Sequence, residues 1–123
     1  MNGFLLLAAV ASLITFGLHV FAAGPKVAAP LLRAKDIKPV AKYTNYYCWH
    51  IVSIVLLAMG GAYFWAAKYP DGLELAVLAT AMAFSFMIWG LALIVWKRQP
   101  TRFMPQWVLF AVITGLGTAG LVF

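Results

Sequence analysis

Four apolar runs, residues 4–23, 46–67, 73–96 and 105–123, account for most of this chain, and no Asp, Glu, Lys or Arg lies in the central part of any of them. A helix needs roughly twenty apolar residues to cross a bilayer, and each run is close to that length. Backbone groups in lipid must pair within their own segment, so runs of this kind fold as helices. The expectation is an all-α integral membrane protein. Its 123 residues leave room for one domain, an up-down bundle of four transmembrane helices. Charge agrees: 10% of the residues are charged, against roughly 25% in a soluble domain. That is too little to cover a water-facing surface.

The first run is expected to be retained. Val20-Phe21-Ala22 resembles a cleavage site, but no basic residue precedes the run and it exceeds the usual length of a signal-peptide core. Its helix is expected to end at Gly24-Pro25, since proline disfavours helical geometry at the residue before it. Residues 26–44 read as a basic linker. Within it, Leu31, Leu32 and Ile37 suit either a short helical turn on lipid headgroups or a solvated connector. Pro39 fits the first turn of the second helix. Tyr43, Tyr46, Tyr47 and Trp49 crowd the start of that helix, and Tyr63, Trp65 and Tyr69 its end, as rings do at membrane–water boundaries. Tyr69-Pro70-Asp71-Gly72 is a turn. The third run stops at Lys97-Arg98, and Pro100 and Pro105 bracket the connector to the fourth.

Charge placement predicts orientation. Lys26, Arg33, Lys35, Lys38 and Lys42 in one connector, with Lys97, Arg98 and Arg102 in another, make eight of the nine Lys and Arg residues. The opposite connector has Lys68 beside Asp71 and Glu74. The positive-inside rule then puts both basic connectors in the cytoplasm and both termini outside, as in a bacterial-type inner membrane. The net charge of +6 follows from this asymmetry, without a nucleic-acid partner.

Lipid tails are as apolar as leucine, so helices associate there through close packing and interhelical hydrogen bonds. Each run offers a stripe for this: Ala8, Ser12, Thr15 and His19; His50, Ser53, Leu57 and Gly61; Ala76, Ala79, Ala83 and Gly90; Ala111, Gly115 and Ala119. Gly117 and Gly120 add further small surface on the last helix, pointing to a homo-oligomer or to other membrane proteins as partners beside the lipid bilayer.

The chemistry concentrates in Asn45–Ser53, where Tyr46, Tyr47, the single Cys48, Trp49, His50 and Ser53 stand together. His19, the other histidine, lies about five residues before its expected helix end, and His50 about five after its own start. On antiparallel neighbours that is a similar depth, roughly 7 Å inside one face, and the two side chains are expected within one helix–helix contact. An ionisable group in a membrane helix is costly and so marks a candidate site. His19 and His50 suit a haem iron or a metal ion, a proton-handling pair, or structural hydrogen bonds to Thr15, Ser53 or a tyrosine. The structural reading is preferred. Cys48 is about 200° around the helix from His50, so one metal cannot take both without distortion. A lone cysteine also excludes an internal disulfide and a CxxC motif. No glycine-rich phosphate loop, HExxH or GxSxG motif occurs. The first run lacks the essential acid of the small multidrug exporters, which disfavours proton-coupled export of that type.

Thr15-Phe16-Gly17-Leu18-His19 and Tyr46-Tyr47-Cys48-Trp49-His50 resemble motifs of the YgdD-like proteins, a family of small four-span membrane proteins. Those proteins carry one histidine closing a Gly-Ala-Phe-Gly-Ala-His type pattern and another after aromatics at the start of the second helix. Met104-Pro105-Gln106-Trp107 departs from the Pro-x-Gly-Gly that opens the family's last helix, and the linker here is longer. The resemblance implies the topology and the histidine pair, and no activity. The expected function is a non-enzymatic accessory or scaffold subunit. The alternatives are a haem- or metal-binding electron-transfer protein using His19 and His50, and a small homo-oligomeric transporter or channel.

Overall fold

A computed structural model describes all of the chain, Met1–Phe123. It is all-helical. Helix α1 spans Gly3–Arg33, α2 Pro39–Lys68, α3 Leu73–Lys97 after a single 3-10 turn at Pro70–Gly72, and α4 Gln106–Val122. The first three are long and apolar enough to cross a membrane, and α4 is a shorter apolar helix. Each helix packs chiefly against two neighbours, in the order α1, α2, α3, α4 and back to α1.

The largest departure from expectation is that α1 does not stop at Gly24-Pro25. Its α-helical part, Gly3–Gly17, runs directly into π turns over Leu18–Ala28 and a last α turn at Ala29–Arg33. Proline lacks an N–H and crowds the carbonyl one turn back. Wider turns relieve that crowding and rearrange the freed backbone partners, so Pro25 is carried inside the helix. The N–H of Ala29 accordingly reaches back five residues to Gly24 O. The basic linker is therefore largely helical, and only residues 34–38 connect α1 to α2. Pro39 opens α2. At the other end of the molecule's basic half, Arg98 closes α3 in the left-handed conformation (φ 51°), with Gln99 N–H returning to Ile94 O at 3.0 Å.

Glycines set the packing. A Cβ on Gly120 would fall 2.5 Å from Leu5, one on Gly60 2.9 Å from Leu13, and one on Gly90 3.3 Å from Trp107. At Gly117 it would lie 2.6 Å from Tyr63 Oη and closer still to Thr80 Oγ1. On α1 the expected stripe holds: Ala8, Ser12 and Thr15 are buried and His19 half-buried. On α3, Ala76, Ala79 and Ala83 are likewise buried.

Two stripes need correction. The inner face of α2 is Ser53, Leu56, Met59, Gly60 and Tyr63, while Leu57 and Gly61 point outward. The expected stripe is anchored on His50, and a one-residue error on a helix is a rotation of about 100°. The inner face of α4 is Ile113, Gly117 and Gly120. Gly115 faces outward with nothing near its Cβ position, and Ala111 and Ala119 are only half-buried. The glycines assigned to surplus surface thus make the internal contact.

This gives a direct test. Gly117→Ala pushes a methyl into Tyr63 and Thr80 and is expected to destabilise the detergent-solubilised protein by about 1–3 kcal/mol. Gly115→Ala is expected to be neutral or to stabilise by about 0.5–1 kcal/mol through helix propensity. Denaturant titration that ranks the two variants the other way would contradict this packing.

Candidate histidine and hydroxyl sites

His19 lies in the first π turn of α1, facing α2. Its ring stacks on Trp49, with centroids 3.9 Å apart and planes 20° apart. Its Nε2 lies 3.0 Å from Trp49 O. A carbonyl can only accept, so Nε2 carries the proton and donates. The hydroxyl of Ser53 donates to the same carbonyl at 3.3 Å. His19 therefore reads the backbone and the ring of one residue together.

His50, one residue on, is exposed, and its ring meets the edge of Tyr46 at 4.8 Å. Tyr47 is exposed as well, and Cys48 is free and exposed. The structure thus pairs His19 with Trp49 across the α1–α2 contact, and Tyr46 with His50 within α2. The expected setting near two helix ends is corrected. Fourteen residues of α1 follow His19, and eleven residues of α2 precede His50. No three His, Cys, Asp or Glu side chains come together as a metal-binding group.

The hydroxyls expected to bridge helices mostly do not. Ser12 donates to Ala8 O at 2.9 Å and Thr15 to Ala11 O at 2.8 Å, each within its own helix. They serve as small packing residues whose polar atoms are satisfied locally.

The interhelical hydroxyl contact was missed because Tyr63 was assigned to the aromatic boundary of α2. It is fully buried, and its Oη lies 2.9 Å from Thr80 Oγ1, which in turn lies 2.7 Å from Ala76 O. Thr80 has a single proton, and Ala76 O can only accept it. Tyr63 must therefore donate to Thr80, and the order Tyr63, Thr80, Ala76 is fixed. The signal was present in the spacing: Leu56, Met59, Gly60 and Tyr63 fall on one helical face. One buried donor, Trp107 Nε1 against the α3–α4 contact, has no protein partner.

A surface groove of about 840 Å³ is at the opposite end from the histidines. Met1, Asn2, Gly3, Phe4, Leu6, Leu7 and Phe123 line it, and Asn2 is its one polar side chain. The groove is an open dish between chain ends and has no titratable side chain to support chemistry. Comparison with protein-family models, curated proteins and solved structures finds no match to this chain.

The His19 contact predicts an ordered set of stabilities. An interhelical hydrogen bond in a membrane protein is worth about 0.6–1.7 kcal/mol, and an aromatic stack about 0.5–1.5 kcal/mol more. His19→Leu forfeits both, His19→Gln keeps a donor, and His50→Leu loses only an exposed edge contact. Thermal unfolding in detergent should rank them in that order, His19→Leu lowest. His50→Leu falling below His19→Leu would overturn the assignment.

Proposed function

We propose that this chain is a small tetraspan of a bacterial-type inner membrane, acting as a non-enzymatic accessory or scaffold subunit. In this reading the four helices form an up-down bundle across the bilayer, with both termini outside and both basic connectors in the cytoplasm. The observation that carries it is the division between surface and interior. Large apolar side chains such as Leu7, Ile14, Ile54, Phe64, Leu78 and Phe84 face outward around the helices. Inside, Asn2, Ser12, Thr15, Ser53, Tyr63 and Thr80 all bond to protein partners. Asn2 and the Tyr63–Thr80 pair hold helices together, Ser12, Thr15 and Ser53 are satisfied within their own helices, and the set does not converge on a substrate.

Helix α4, at 17 residues, is at the short end of the range that spans a bilayer. Outward glycines on two helices, Gly61 and Gly115, leave faces open to approach by another membrane helix. This supports assembly with itself or with other membrane proteins. The likeness of the histidine motifs to the YgdD-like proteins favours the same class of object.

Orientation is tested by labelling. In a Cys48→Ser background, Lys35→Cys and Gln99→Cys should resist a membrane-impermeant maleimide in intact cells and react after permeabilisation. Ready labelling in intact cells would reverse the orientation. Crosslinking in native membranes, followed by mass measurement, should give a discrete assembly; a monomer alone would count against the scaffold role.

A further inference from the structure

Interhelical contacts place three helices on one scale of depth. Asn2 N–H meets Ala67 O, and Tyr63 Oη meets Thr80 Oγ1. Taking the Asn2–Ala67 level as zero, helical rise puts Lys42 of α2 roughly 38 Å away. Lys97 of α3, reached through the Tyr63–Thr80 contact, stands roughly 32 Å away. Lys26 of α1 stands at roughly 36 Å, slightly less for its π turns. A bilayer has about 30 Å of hydrocarbon and about 5–7 Å of interface on each side. With the Asn2 level at one hydrocarbon boundary, lysines from three helices reach the opposite interfacial layer, with Lys42 at its outer edge.

Their surroundings suit that layer. Lys26 and Lys97 are exposed and Lys42 is half-exposed, so each ammonium is free to reach outward. Lys97 Nζ lies 4.0 Å over the ring of Trp96, the pairing of cation and amphipathic ring found at membrane boundaries. Tyr43 follows Lys42 and is also exposed. Arg33, Lys35 and Lys38 lie farther out, at the tip of the α1–α2 hairpin.

We infer that Lys26, Lys42 and Lys97 form a collar that binds the phosphates of anionic phospholipids at the histidine end of the bundle. The inference rests on the membrane-spanning reading above and adds the lipid class that the bundle selects. A lipid surface requires the cations to share one level, and these do so from three separate helices. An acidic protein partner would place no such demand on them.

The test uses the full chain in nanodiscs of mixed phosphatidylcholine and phosphatidylglycerol, with retained lipid counted by native mass spectrometry. Each cation near the surface contributes roughly fivefold. The wild type should therefore retain phosphatidylglycerol at least about tenfold over its share of the mixture, falling with added salt. Lys26→Gln/Lys42→Gln/Lys97→Gln should abolish the preference. Arg33→Gln/Lys35→Gln/Lys38→Gln, with the same charge change at the tip, should keep it. Equal loss in both triple variants, or a preference indifferent to salt, would overturn the collar. Displacement of the lipid by inorganic phosphate at similar concentration would reassign the site to a free anion and also overturn it. Flotation separates the two readings. A chain that fails to float with phosphatidylcholine vesicles removes the membrane-spanning reading. One that floats but shows no phosphatidylglycerol preference removes the collar alone.

Discussion

Asn2 joins three helix ends. Its side-chain oxygen accepts Leu5 N–H at 3.1 Å and caps α1; its amide donates to Gly120 O at 2.7 Å; its backbone N–H donates to Ala67 O at 2.9 Å. Ala67 and Gly120 both lie in the last turns of their helices, where carbonyls have no partner within the helix. One residue therefore satisfies an orphan donor of α1 and an orphan acceptor on each of α2 and α4. The positive end of one helix dipole also meets the negative ends of two others. Asn2 thus ties the relative heights of three helices together at a single point.

The remaining contacts follow from those heights. Leu5 enters the space left by Gly120 only if Asn2 holds α1 level with the end of α4. Leu13 then meets Gly60 two turns on, and His19 arrives at Trp49. On the far side, Gly117 leaves room for the Tyr63–Thr80 contact that fixes α3 against α2. In the membrane setting proposed above, which gives little hydrophobic drive for helix association, close approach at glycine and a few directed hydrogen bonds supply the attraction.

Much of this was legible in the sequence, and the misses have physical causes. Apolar run length and the Pro, Gly and basic boundaries pointed to four helices. The alternation of small residues on α1 and α3 located their inner faces. On α2 the aromatic and histidine residues drew the face toward His50, although Trp49 makes the contact. Tyr63 was read as a boundary ring because tyrosine often sits there; a buried tyrosine needs a hydrogen-bond partner, and Thr80 is seventeen residues away on another helix. Gly115 and Gly117 are indistinguishable by composition, and only the identity of the neighbour separates them. Pro25 is a helix terminator by local rules, which do not include the option of π turns. The Asn2 contacts join the start of the sequence to its middle at Ala67 and its end at Gly120, beyond any local pattern.

The Asn2→Asp variant tests the central claim most directly. A carboxylate keeps the cap on α1, because aspartate accepts Leu5 N–H as well as asparagine does. It cannot donate to Gly120 O, and it brings negative charge to the carbonyl ends of α2 and α4. Amide hydrogen exchange in one detergent, followed by mass spectrometry, should show the last turn of α4 exchanging about tenfold faster or more, equivalent to ~1.4 kcal/mol. The first turn of α1 should keep its protection. Unchanged exchange in the last turn of α4 would contradict the claim that Asn2 sets the register of the helices.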